Sequence, residues 1–184
     1  VDPEWLVMDM FAQAEHDELA QAVLISTDEI LLERVTELIA ERLPGMAREG
    51  IIRRSISDRG ALILAQNDDE IAAIVNKIAP EHLELALQNA DEFLPRIKHA
   101  GAIFIGKHSA EVVGDYSAGP SHVLPTSGTA RFASALGVYD FQVRSSVIRC
   151  SAAGAVSLSR DAAILAVEEG LEAHARSAEF RVQG

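Results

Sequence analysis

Side chains able to do chemistry gather at a few places in this sequence. Gln13 and His16 are three apart in "QAEHD", on a stretch whose apolar spacing predicts a helix, so they share a face and can reach a common point. Histidine is a common zinc ligand and a glutamine amide an unusual one; the plainer reading is the solvated end of a helix. Glu81 and His82 follow Ala79-Pro80. Proline fixes its own φ and discourages helix in the residue before it, so the pair is expected to begin a new element at a sheet end, where α/β folds place ligands. A carboxylate beside an imidazole can act as general base and acid; the competing reading is a surface pair after a turn.

The stretch "GDYSAGPSHVLPTSGTARF", residues 114–132, breaks an orderly chain into glycine, proline, serine and threonine, and carries Asp115 and His122. Long loops of small residues are often functional. Backbone N–H groups of "TSGT" could cradle a phosphate, Asp115 could ligate a metal, or the segment is a solvated connection. No lysine follows in the manner of a nucleotide P-loop. His174, near Glu168 and Glu169, reads by itself as a surface residue of an amphipathic helix, and His99 and His108 have no suggestive neighbours. Cys150 closes the apolar run "SSVIRC" and is expected to be a buried structural thiol.

The elements that position these groups follow from periodicity. Helices are predicted over residues 3–16, after an N-cap at Thr27 or Asp28, over 44–54, after Asn67 or Asp68, over 90–98 and as one long pattern over 160–180. "QAVLIST", "GALILAQ", "EHLELAL", "AGAIFIG" and "SSVIRC" read as strands. Strands alternating with helices imply parallel pairing, because a parallel crossover needs a connecting element. The expected fold is α/β, a Rossmann-like layered unit with a mostly parallel sheet plus a small C-terminal helical arm. Organisation changes around residues 137–141, which suggests a unit over 1–136 and a C-terminal strand and helical arm over 137–184.

Composition excludes several functions. A formal charge of −12 repels phosphate backbones, so nucleic acid is not an expected partner. No apolar run reaches the roughly 20 residues that cross a bilayer, so no membrane is expected either, and the chain reads as cytoplasmic. Its single cysteine allows no internal disulfide. Val1 is not an initiator methionine and a helical pattern starts at once, which suggests a piece of a longer protein.

Taken in order, "QAEHD", "APEHLEL", "GDYSAGPSHVLPTSGTARF", "GVYDFQ" and "EGLEAHARSAEFR" resemble the histidinol dehydrogenase family, over the C-terminal part of that family's chain. The resemblance implies a zinc enzyme that oxidises L-histidinol to L-histidine through L-histidinaldehyde, reducing two NAD. It assigns zinc to Gln13, His16, Asp115 and His174, and the histidinol site to these residues with His82, His122 and Glu169. His82 is then the base for the alcohol proton and Glu81 the base that activates water on the aldehyde. It also implies a homodimer, with His174 on an arm from the other subunit. Glu169 and His174 are five apart, about 140° around an unbroken helix, so if both serve one site either the substrate extends between them or Gly170 bends the path. No "GxGxxG" dinucleotide fingerprint occurs, and the cofactor-binding residues stay unassigned. Two alternatives remain: a non-catalytic binding or dimerisation module, and a zinc hydrolase using Glu81 to activate water.

Overall fold

The computed structural model describes residues 1–183, in two compact units, Val1–Phe141 and Gln142–Gly184. The first unit opens with α1 (Pro3–Ala14). The Asp2 side chain caps it by accepting the Glu4 N–H at 2.9 Å, and Pro3 stands in the first turn, where its missing N–H costs nothing. β1 (Val23–Ser26) leads to α2 (Glu29–Arg42), capped by Asp28, whose carboxylate accepts the Leu31 N–H at 3.1 Å. The helix expected over 44–54 instead runs from Glu49 to Arg59 as α3. Pro44 and Gly45 are the reason: Gly45 has φ +101°, outside any right-handed helix, so the chain turns before it can wind again.

β2 (Ala61–Leu64) pairs in parallel with β1, and α2 and α3 form the crossover. α4 (Asp68–Ile78) is capped by Asn67, which accepts the Glu70 N–H at 3.0 Å, while Glu70 accepts the Gln66 N–H at 2.6 Å. β3 (His82–Leu85), α5 (Ala90–Phe93) and β4 (Ala102–Ile105) complete a second parallel pair, followed by α6 (Glu111–Tyr116). The α/β class and the parallel pairing are as expected; the strands form two two-stranded sheets.

Two apolar clusters hold this unit. Leu6, Val7, Met10, Phe11 and Ala14 of α1 recur at helical spacing and pack with Val35 and Leu38 of α2 and Ile52 of α3. The second cluster joins Ala72 of α4, Leu85 of β3, and Ala90 and Phe93 of α5. Leu83 and Leu85 face this cluster, so strand alternation sends His82 and Glu84 to the opposite face of β3.

In the second unit the strand expected at "SSVIRC" does not form: residues 142–151 are neither helix nor strand. A strand needs a ladder partner, and Val147 and Ile148 stand 90% and 84% exposed with none among the described residues. Cys150 is accordingly exposed, not buried. The long helix expected over 160–180 is two helices, α7 (Ala152–Glu168) and α8 (Glu172–Gln183). Gly170, at φ +72°, separates them. Its N–H meets the Val167 carbonyl at 2.9 Å and the Leu171 N–H meets Ala166 at 2.8 Å, the paired bonds of a Schellman stop. No helix among the described residues is long and apolar enough to cross a membrane.

Phe11 is 1% exposed at the centre of the first cluster. Phe11→Ala is expected to destabilise the chain by about 3–5 kcal/mol, and Ile148→Ser by less than about 0.5 kcal/mol, as read by urea unfolding followed by circular dichroism. Equal effects of the two substitutions would contradict this core.

Candidate functional site

The approach to β3 is set by backbone. Ala79 closes α4 in the left-handed region at φ 51°, and Pro80 directs the chain outward. The Pro80 and Glu81 carbonyls accept N–H groups from Gly101 and Ala102 at 2.9 and 2.8 Å, which seats His82 opposite Ala102. Gly101 is required there, since a Cβ would stand 2.6 Å from the Glu81 carbonyl oxygen.

Asp115 is helical rather than in a loop: α6 takes up the first residues of the 114–132 stretch and ends at Ser117, before Gly119 and Pro120. Glu111 and Asp115, four apart on α6, share a face. His82 Nε2 lies 3.6 Å from Glu111 Oε1 and 3.7 Å from Asp115 Oδ1. Gly114 lets α6 lie close to β4, because a Cβ would come within 2.5 Å of the Phe104 ring, and that ring stands 6.0 Å from the His82 imidazole. His82 Nε2 is buried and, among the described residues, has no hydrogen-bond partner.

The carboxylates beneath this point crowd one another. Glu84 Oε1 accepts the Glu111 N–H at 2.8 Å, and its carboxyl is in hydrogen-bonding contact with Asp9 of α1. Burial pushes the Glu84 carboxyl up to about 7, against the Glu111 N–H and with help from Asp9. Burial likewise pushes Glu111 to about 7, aided first by Asp115 and then by Glu84 and Glu81. Asp9 is raised by burial, with the Glu84 bond opposing.

A buried imidazole nitrogen without a partner, facing two carboxylates, is suited to a proton or to a divalent cation. Ligands about 2.0–2.1 Å from a tetrahedral zinc stand roughly 3.4 Å apart, close to the observed 3.6 and 3.7 Å. Among the described residues, His82, Glu111 and Asp115 are the one group of three His, Cys, Asp or Glu side chains with donor atoms within 4.8 Å of one another. This set shares only Asp115 with the zinc ligands that the sequence resemblance implies. Gln13 is half-buried on α1, and His16 is exposed just beyond its end. Asp9, Gln13 and His16 follow at helical spacing, so the face of α1 that meets Glu84 continues towards them. Glu81 is half-buried beside the strand start and His122 is exposed. Glu169 ends α7 and His174 lies exposed on α8, both in the second unit.

The comparisons bear on what this arrangement serves. Residues 1–182 match the family description "Histidinol dehydrogenase". The chain belongs to the histidinol dehydrogenase family. It is 59% identical over 181 residues to the histidinol dehydrogenase of Pseudomonas aeruginosa, a match covering 98% of this chain and 41% of that protein. With the histidinol dehydrogenase of Thiocapsa roseopersicina it shares 58% identity over 180 residues, 98% of this chain and 77% of that one. The crystal structure of histidinol dehydrogenase from Elizabethkingia anophelis superposes with a TM-score of 0.90 at 29% identity, covering 99% of this chain and 42% of that chain. The chain thus spans about two-fifths of the length of most of the curated relatives it matches.

Sequence reasoning passed over Glu111, Glu84 and Asp9. Spacing offered a signal for two of them: Glu111 precedes Asp115 by one helical turn, and Glu84 follows His82 by one strand repeat. Both carboxyls sit near 7 when folded against 4.5 ordinarily, so between those pH values the native state holds more protons than the unfolded chain. Their contribution to stability is therefore complete below about pH 4.5 and lost as pH rises through about 7. In EDTA, urea midpoints are expected to fall from pH 5 to pH 8, with a shallower fall in Glu111→Gln. Added zinc or cobalt is expected to restore the midpoint at pH 8 more than at pH 5, since a bound cation replaces protons. Identical pH slopes for wild type and Glu111→Gln would overturn this account.

Proposed function

We propose that this chain carries the metal, substrate and proton-transfer residues of a zinc-dependent enzyme that oxidises L-histidinol to L-histidine with two NAD. Family membership supports the reaction, and one observation carries the site: the unpartnered His82 Nε2 stands 3.7 Å from Asp115 in a half-buried pocket of carboxylates. Of the two uses open to His82, metal ligand or base, this reading takes the second: Gln13, His16 and Asp115 would hold zinc, with His174 of a second copy of the chain completing the set in a homodimer, and His82 would stand beside the metal without ligating it. When bound, zinc would orient the imidazole and amino nitrogens of histidinol so that the carbinol carbon faces the nicotinamide.

His82 would take the alcohol proton as the carbinol carbon gives up hydride to NAD, leaving L-histidinaldehyde. Glu81 would then take a proton from the water that adds to the aldehyde, and loss of a second hydride to NAD from that hydrate anion would give the carboxylic acid, which ionises to the carboxylate in water. His122 and Glu169 line the substrate. Glu111 lies within reach of His82 and can share its proton or bind a cationic group of the substrate. Most of the dinucleotide contacts would lie in the portion of the relatives' length outside this segment. A free, exposed Cys150 suits a reducing cytoplasm.

The test is NADH formation from L-histidinol in the presence of zinc, by a chain of the relatives' length that carries this segment. His82→Gln is expected to lower kcat by about 10²–10⁴ with zinc content retained, and Asp115→Ala to lower zinc content itself. Absence of NADH formation by the zinc-loaded wild type would sink the reading.

A further inference from the structure

We propose that Glu84 is a positioning residue, whose one carboxyl group ties α1 and α6 to β3 and so holds Glu111 and Asp115 against His82. Three observations carry this. Strand alternation places Glu84 on the His82 face of β3, away from the apolar face of Leu83 and Leu85. Its Oε1 accepts the Glu111 N–H at 2.8 Å, at the first residue of the helix whose next turn bears Asp115. Its carboxyl also contacts Asp9 on α1, the helix that carries Gln13. No side chain of α6 itself caps that helix, since its N-cap is Ala110. Without Glu84, the Glu111 N–H is left without its partner.

A glutamine at 84 would reproduce both contacts, its oxygen accepting from the Glu111 N–H and its NH₂ donating to Asp9. Leucine would fill the volume and make neither. That contrast separates positioning from packing.

For catalysis the inference rests on the proposed reaction, so the experiment has two arms. In this chain, amide hydrogen exchange at Glu111 is expected to quicken at least about tenfold in Glu84→Leu and to stay near wild type in Glu84→Gln. In the longer chain with zinc, Glu84→Leu is expected to lower kcat about 10–100-fold with the thermal midpoint little changed, and Glu84→Gln to recover activity to within about threefold. If Glu84→Leu does not fold, Glu84→Ser, too short to reach the Glu111 N–H, takes its place with the same readouts. Unchanged Glu111 exchange, or a kcat per folded molecule equal to wild type, overturns the inference. Should wild type itself form no NADH, the reaction reading fails and the exchange arm alone decides whether Glu84 holds α6.

Discussion

Setting Glu111 and Asp115 against His82 Nε2, with Glu84 and Asp9 behind them, costs free energy, because partly buried charges lose water and repel one another. The fold holds the cluster together with a backbone N–H given to Glu84 and apolar packing on the far side of β3. Protons meet part of that cost at acid pH, and a cation would meet it at neutral pH. The unpartnered His82 nitrogen and the raised carboxyls near it are two views of one constraint.

The close approaches in this region follow from the same need. Gly101 lets β4 lie against the Glu81 carbonyl, and Gly114 lets α6 lie on Phe104. Ala79 accepts a left-handed backbone so that Pro80 can turn the chain into β3. The two glycines each bring a backbone nearer than an ordinary side chain would allow. Here the surrounding structure determines side-chain positions that local preference does not.

The second unit answers a different difficulty. Glu169 and His174 on one helix would diverge, and the Schellman stop at Gly170 puts them on separate helices. The bend was legible from the glycine between them; the hydrogen bonds that make it a stop were not. The apolar run at 145–150 misled for a related reason. Alternation and β-branched residues describe a strand only where a neighbour offers a ladder, and none of the described residues does so for that segment.

What the sequence by itself determined is local or periodic: a helix start at Pro3, caps narrowed to Thr27 or Asp28 and to Asn67 or Asp68, the apolar faces of α1 and α2, the four paired strands and their parallel sense. Its motifs also marked the family and the chemistry-bearing residues His82 and Asp115. Only the tertiary structure decided that Glu111 faces His82, that Glu84 joins three elements, and that Asp115 sits on a helix. The reason is physical. Caps and amphipathic faces depend on neighbours within a turn or two, whereas a carboxyl cluster depends on distances between residues 27 to 75 positions apart, which only packing fixes.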